Sequence, residues 1–147
     1  VDAYGNLIRA LLQYGEPGKA MIAFRAMARL YRRWLPAMTA NLQVLAGYID
    51  LSALDRADLI ALAEQLNPPA QATDPVFLEA LGVAYAGIGR FDAALAVTRR
   101  AIALVGVSAA DDAQKLLTML GERMARYESR LPVWDNNIPA TVPNALP

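Results

Sequence analysis

Apolar residues recur along this chain at intervals of three and four, the spacing of one face of an α-helix, and nowhere alternate as a strand would. Tyr4, Leu7, Ile8 and Leu11 predict a helix over 2–14, stopped by the turn Gly15-Glu16-Pro17-Gly18. Ala20, Phe24, Met27 and Tyr31 predict a second helix over about 18–34, closed by Pro36. Leu42, Leu45, Ala46 and Ile49 predict a third over about 38–51. Ser52 or Asp55 can cap a fourth over 55–66, which carries Ala57, Ala61 and Leu62 and ends at Asn67-Pro68-Pro69. Asp74-Pro75 announces a fifth helix over 75–87, and Gly89-Arg90-Phe91-Asp92 turns the chain into a sixth over 92–105. Ser108 with Asp111 three places on is a capping-box pattern, opening a last helix over 109–130 with Ala113, Leu116, Leu120, Met124, Tyr127 and Leu131 on one face. The tail 132–147 holds Pro132, Pro139, Pro143 and Pro147 and is expected to be extended, so its removal is expected to cost little stability.

The chain also repeats itself. Leu81-Gly82, Tyr85, Gly89, Ala94 and Ala101 have counterparts 74 residues earlier in Leu7-Ile8, Leu11, Gly15, Ala20 and Met27. All but Ile8 keep the residue or an apolar substitute. A shift of 74 is close to twice the roughly 34-residue period of helix–turn–helix repeats. Glycine at the same offset in both copies, Gly15 and Gly89, is free to adopt the positive φ that ends a helix. Gly82 and Ala94 fall where two antiparallel helices would cross, and small side chains there let the backbones approach. Ile8 and Met27 are bulky at places that are small in the later copy, so the first pair is expected to cross more loosely.

These residues resemble the tetratricopeptide repeat. Counted from Pro75, Leu78, Leu81, Gly82, Tyr85, Ala94, Thr98 and Ala101 match its pattern, and counted from Val1 so do Tyr4, Leu7, Leu11, Ala20 and Phe24. The middle unit fits only with a one-residue deletion, as Leu42, Leu45, Ala46, Ile49, Ala57, Ala61 and Pro69. The resemblance implies an all-α, right-handed solenoid over 1–131, with antiparallel pairs at about 1–36, 37–73 and 74–107 and a capping helix at 108–131. The runs LG-x2-YA-x2-GRFD-x2-LA and RMARYESRLPVW are also similar to C-terminal arrays of large bacterial membrane glycosyltransferase-type and secretion proteins.

The resemblance implies a concave groove lined by the first helix of each pair, holding a partner peptide or helix. Its candidate binding residues are Asp2, Arg9, Leu12, Gln43, Asp50, Glu79 and Val83, with small residues Gly5, Ala40, Gly47, Val76 and Ala86 between them. Each of these is equally at home as an ordinary solvent-facing residue. The family's chaperone-type carboxylate clamp needs Lys, Asn and Arg, whereas Gly5, Val44, Val76 and Ala80 stand here, so a C-terminal chaperone peptide is not the expected ligand.

Composition narrows the chemistry. The chain of 147 residues has neither Cys nor His, so it offers no disulfide, thiol nucleophile or imidazole base, and no zinc site of the usual ligands. No catalytic residue, cofactor or metal is expected. Hydrophobic residues make up 56%, much of it alanine, and no run approaches the roughly 18 apolar residues of a membrane span. The expected setting is a soluble domain of the bacterial cytoplasm or periplasm. Val at the first position predicts a processed or excised piece, which leaves a non-catalytic appendage of a larger membrane-associated enzyme as one reading. Self-assembly through the N-terminal face of the first pair is another.

Formal charge is zero but uneven. Residues 1–36 carry six Lys/Arg against two Asp/Glu, net +4, and the remainder eight against twelve, net −4. Arg25, Arg29, Arg32 and Arg33, followed by Trp34, form a basic stripe. It reads either as a surface for anionic lipid, nucleic acid or an acidic partner, or as a solvated helix face. The absence of an overall basic surplus argues against nucleic acid. Gly87-Ile88-Gly89-Arg90 lacks the strand and third glycine of a phosphate loop. Asp111 and Asp112 suit a helix N-terminus without any catalytic role. Trp134 reads either as a docking motif for another domain or as a residue folded back on the last helix.

Overall fold

The computed structural model describes residues 2–106 and 111–134, leaving the side chain of Asp2 outside the described set. Over those residues the chain is all-helical, without a strand: α1 (Asp2–Gln13), α2 (Pro17–Leu30), α3 (Leu35–Ala46), α4 (Ala53–Leu66), α5 (Pro75–Gly87), α6 (Phe91–Val105) and α7 (Asp111–Glu128).

The helix ends are written locally. Gly15 and Gly89 take φ of 74° and 80°. The residue after each reaches back five places, Glu16 N to Leu11 O at 2.8 Å and Arg90 N to Tyr85 O at 2.9 Å, which satisfies carbonyls the helix leaves open. After α7 the same closure is made by Arg130, at φ 58°, with Leu131 N bonded to Arg126 O at 2.9 Å. Ser52 Oγ accepts from Asp55 N at 3.0 Å and Asp74 Oδ1 from Val76 N at 2.9 Å, so Ser52 and Asp74 cap α4 and α5. The capping pattern at Ser108 lies outside the described residues.

Two boundaries depart from the expectation. The second helix stops at Leu30 instead of running to 34, and Pro36 opens α3 instead of closing α2. Proline's fixed φ and missing N–H suit a first helical turn and clash in a later one, so the chain changes direction over 31–34 before α3 begins. Tyr31 there meets Tyr4 of α1 edge-on, ring centres 6.1 Å apart. The third helix ends at Ala46, not 51, and buried Tyr48 and Leu51 follow in a loop where Ile49 is only half-buried.

α1 packs on α2, α3 on α4 and α5 on α6, although α4 meets α5 more extensively than it meets α3. The first helices also pack in a row, α1 on α3 and α3 on α5, while α2 lies against α4 and α7 against α6. The core runs through this stack: Ile8, Phe24, Leu42, Leu59, Phe77 and Leu81 are fully buried. Each such side chain contributes about 1.5–3 kcal/mol of burial. α5 and α6 cross closely at Gly82, where a Cβ would lie 3.2 Å from Thr98 Oγ1 and 3.6 Å from Ala94 O. These two helices meet more extensively than α1 and α2 do.

The middle unit corrects the alignment. Ala57 and Ala61, expected on the inner face of α4, are exposed. The buried residues are Arg56, Leu59, Ile60 and Ala63. Arg56, Ile60 and Ala63 keep the spacing of Ala20, Phe24 and Met27 and of Ala94, Thr98 and Ala101, all buried. An arginine therefore stands inward where the other two units have alanine.

Candidate functional site

The seven residues expected to line a groove separate into two groups. Arg9 on α1 and Gln43 on α3 are exposed, and Asp50 is exposed in the loop after α3. Arg9 Nη1 reaches Asn6 Oδ1 at 3.4 Å. Leu12, Glu79 and Val83 are instead buried, and the Asp2 side chain lies outside the described residues. Leu12 is held in the core, and its carbonyl accepts from the Tyr48 hydroxyl at 3.1 Å. Val83 and Glu79 are enclosed because α5 packs against α3, α4 and α6, and a residue of α7 reaches over it. The open part of the expected groove is thus its α1–α3 end.

Glu79 is the centre of a polar cluster contributed by three helices. It pairs with Arg123 Nη2 of α7 at 3.1 Å and hydrogen-bonds the Gln43 side chain of α3. Burial raises the carboxyl above its ordinary value of 4.5, with the Arg123 charge and the two hydrogen bonds pulling the other way. Tyr127, one turn beyond Arg123, is fully buried, and burial pushes its hydroxyl up as well. Tyr127 Oη and Arg123 Nε have no hydrogen-bond partner among the described residues, nor has Asn41 Oδ1. Asn41 is otherwise engaged, its Nδ2 donating to Ala37 O at 2.9 Å and to Met27 Sδ at 3.3 Å. The sequence carries a sign of this cluster: Leu120, Arg123 and Tyr127 share one face of α7, so the arginine belongs to an apolar stripe.

A second polar device is Arg56. Its Nη1 donates to Ala46 O at 2.6 Å and its Nη2 to Tyr48 O at 2.9 Å. The guanidinium therefore takes the place of further helical turns at the end of α3. Burial lowers its pKa to about 10, leaving it charged at neutral pH. No carboxylate partners it among the described residues; Trp134 instead covers it, ring centre 4.4 Å from the guanidinium carbon. Trp134 docks where α5 ends, close enough that a Cβ on Gly87 would lie 3.0 Å from its Cη2. Arg126 secures the turn that brings it there, donating from Nε and Nη2 to Pro132 O at 2.9 and 2.7 Å. Residues 132–134 are thereby held against the helices, with Trp134 at the end of α5 and not on the last helix, and the rest of the tail, from 135, lies outside the described residues.

The basic stripe is also divided. Arg25 is bound to Asp58 and, at 3.2 Å, to Asp55, tying α2 to α4. Arg29, Arg32 and Arg33 are exposed, and their guanidiniums have no partner among the described residues. Arg29 and Arg32 line a cleft of about 250 Å3 between α2 and α4, closed by Ala28, Leu62, Gln65 and Leu66.

No described helix is long and apolar enough to cross a membrane. Among the described residues no group of three or more His, Cys, Asp or Glu is placed to hold a metal ion. No protein-family model, curated protein or solved structure matches the chain.

Proposed function

We propose that this chain is a helical-repeat module, similar to the tetratricopeptide repeat, that holds a segment of a partner protein against the open side of α1 and α3. The observation that carries this reading is the layering of the helices, α1 on α3 on α5 in one row with α2 beside α4 in the other. Stacked helix pairs bury their faces only against neighbours and leave the rows free to receive a ligand. Arg9 supplies the exposed charge there, with Gln43 exposed on the neighbouring helix, and apolar contact supplies most of the affinity. Partner capture by the whole chain should be compared with an Arg9→Glu variant, with the captured protein identified and its affinity measured. Loss of that protein supports the reading; equal affinity for both chains removes it.

Self-stacking is a second reading, favoured by one observation. Leu45 and Leu81 are fully buried, while Leu7 at the corresponding place of the first unit is 46% exposed. Leu45 and Leu81 each have an earlier first helix beside them, whereas α1 has none among the described residues and Leu7 stays half-exposed. Light scattering across concentrations tests this. Association that Leu7→Asp abolishes supports it, and a monomer at every concentration rejects it.

A further inference from the structure

We propose that the corner between α2 and α3 docks this chain onto the surface of an anionic phospholipid bilayer. Every residue from Arg29 to Pro36 is exposed, the longest unbroken exposed stretch among the described residues. It presents the guanidiniums of Arg29, Arg32 and Arg33 together with the large apolar side chains of Leu30, Tyr31, Trp34 and Leu35. Leu30 and Trp34 are 65% and 55% exposed, an arrangement that costs hydration free energy unless something apolar covers it. No Asp or Glu occurs between Glu16 and Asp50, so the flanking chain does not offset the charge. Arg25, the one member of the stripe already neutralised, is the one whose carboxylate partners come from α4.

Charge complementarity selects an anionic partner, and shape selects a surface over a peptide. A peptide gains affinity from a groove that covers it on more than one side. Here eight exposed residues join two helices, and those from Arg29 to Trp34 border a wide-open hollow of about 440 Å3, which meets a broad soft surface more readily than it encloses a chain. Trp and Tyr favour the bilayer interface, where an apolar ring and a polar edge are both satisfied. Arginine side chains beside them reach lipid phosphates while their stems stay among apolar groups. The adjoining α2–α4 cleft, with Arg29 and Arg32 in its wall, gives a headgroup phosphate a second set of contacts. The proposal uses neither Arg9 nor Gln43, so its test does not depend on peptide binding.

The test is co-sedimentation of the whole chain with phosphatidylcholine vesicles, with and without an equal part of phosphatidylserine. Binding is expected only with phosphatidylserine. It should weaken more than about tenfold when Arg29, Arg32 and Arg33 are all changed to Glu, and measurably when all three are changed to Gln. Trp34→Ala should weaken it several-fold. In a Trp134→Phe background, Trp34 emission should move to shorter wavelength on binding. All these arginines are exposed and unpaired, and circular dichroism of each variant checks that its helices are intact. Failure to sediment with phosphatidylserine, or sedimentation unchanged by both triple substitutions, overturns the proposal. So does soluble polyglutamate that binds as tightly as the vesicles, which assigns the corner to an acidic protein. Binding without a Trp34 shift, and unchanged by Trp34→Ala, overturns insertion of the apolar residues.

Discussion

Trp134 lies over the guanidinium of Arg56 at 4.4 Å, so the end of the described chain covers a charge buried in its middle. Arg56 in turn holds the carbonyls of Ala46 and Tyr48. One contact thereby joins the last turn of α3, the helix α4 and the segment after α7. A cation against an aromatic face contributes about 0.5–2 kcal/mol, more as water is excluded.

Trp134→Ala should lower stability by about 2 kcal/mol, from lost ring burial and the lost cation contact. Truncation after Val133, which removes the same ring, should cost at least as much. Arg56→Met, which keeps the stem but abandons the carbonyls, should cost about 2–4 kcal/mol. Gly87→Ala tests the geometry while both partners keep their side chains: its Cβ would lie 2.6 Å from Arg56 Cδ, so it should displace the pair. Urea denaturation followed by Trp emission measures all four. A truncated chain as stable as the full one would show that the tail merely rests on the surface.

Glu79 predicts a pH dependence. Burial raises its folded pKa above 4.5, so the folded chain keeps this proton to higher pH than the unfolded chain does. Stability from this group is therefore complete below about pH 4.5 and declines as pH rises through the folded pKa. Melting curves from pH 4 upward should fall less for Glu79→Gln than for the wild type, and parallel curves would reject the assignment. Arg123→Ala leaves the carboxylate buried and should cost about 2 kcal/mol at neutral pH, below the cost for a fully buried pair because Arg123 is 21% exposed. The same variant should steepen the decline.

Gly82 and Thr98 are expected to be coupled. Thr98 Oγ1 bonds to Ala94 O at 2.7 Å and would stand 3.2 Å from a Cβ on Gly82. Gly82→Ala should cost about 1–2 kcal/mol through this crowding. Thr98→Ala removes the atom in the way, so the double variant should lose less than the sum of the singles. Strict additivity in thermal denaturation would mean that α5 and α6 adjust independently.

Much of the fold was legible because its signals are short-range. Gly15 and Gly89 marked two helix ends, and Ser52, Asp74 and Pro75 marked two starts, since each acts on backbone groups within a few residues. Pro36 is locally ambiguous. Proline both follows helices and begins them, and only the packing of α3 decides which. The repeat spacing put Arg9, Gln43, Leu12, Glu79 and Val83 on one footing, yet the first two are exposed and the other three buried, because burial depends on which helix arrives from elsewhere.

The amino-acid sequence by itself determined an all-helical chain, its turns and its repeating apolar spacing, because these depend on neighbours a few residues apart. Tertiary structure decided the rest: Arg56 inward, Trp134 above it, Glu79 beside Arg123, and Arg29 to Pro36 left in water. Those placements join residues distant in the chain, and their energies come from burial and charge that exist only once the helices have met.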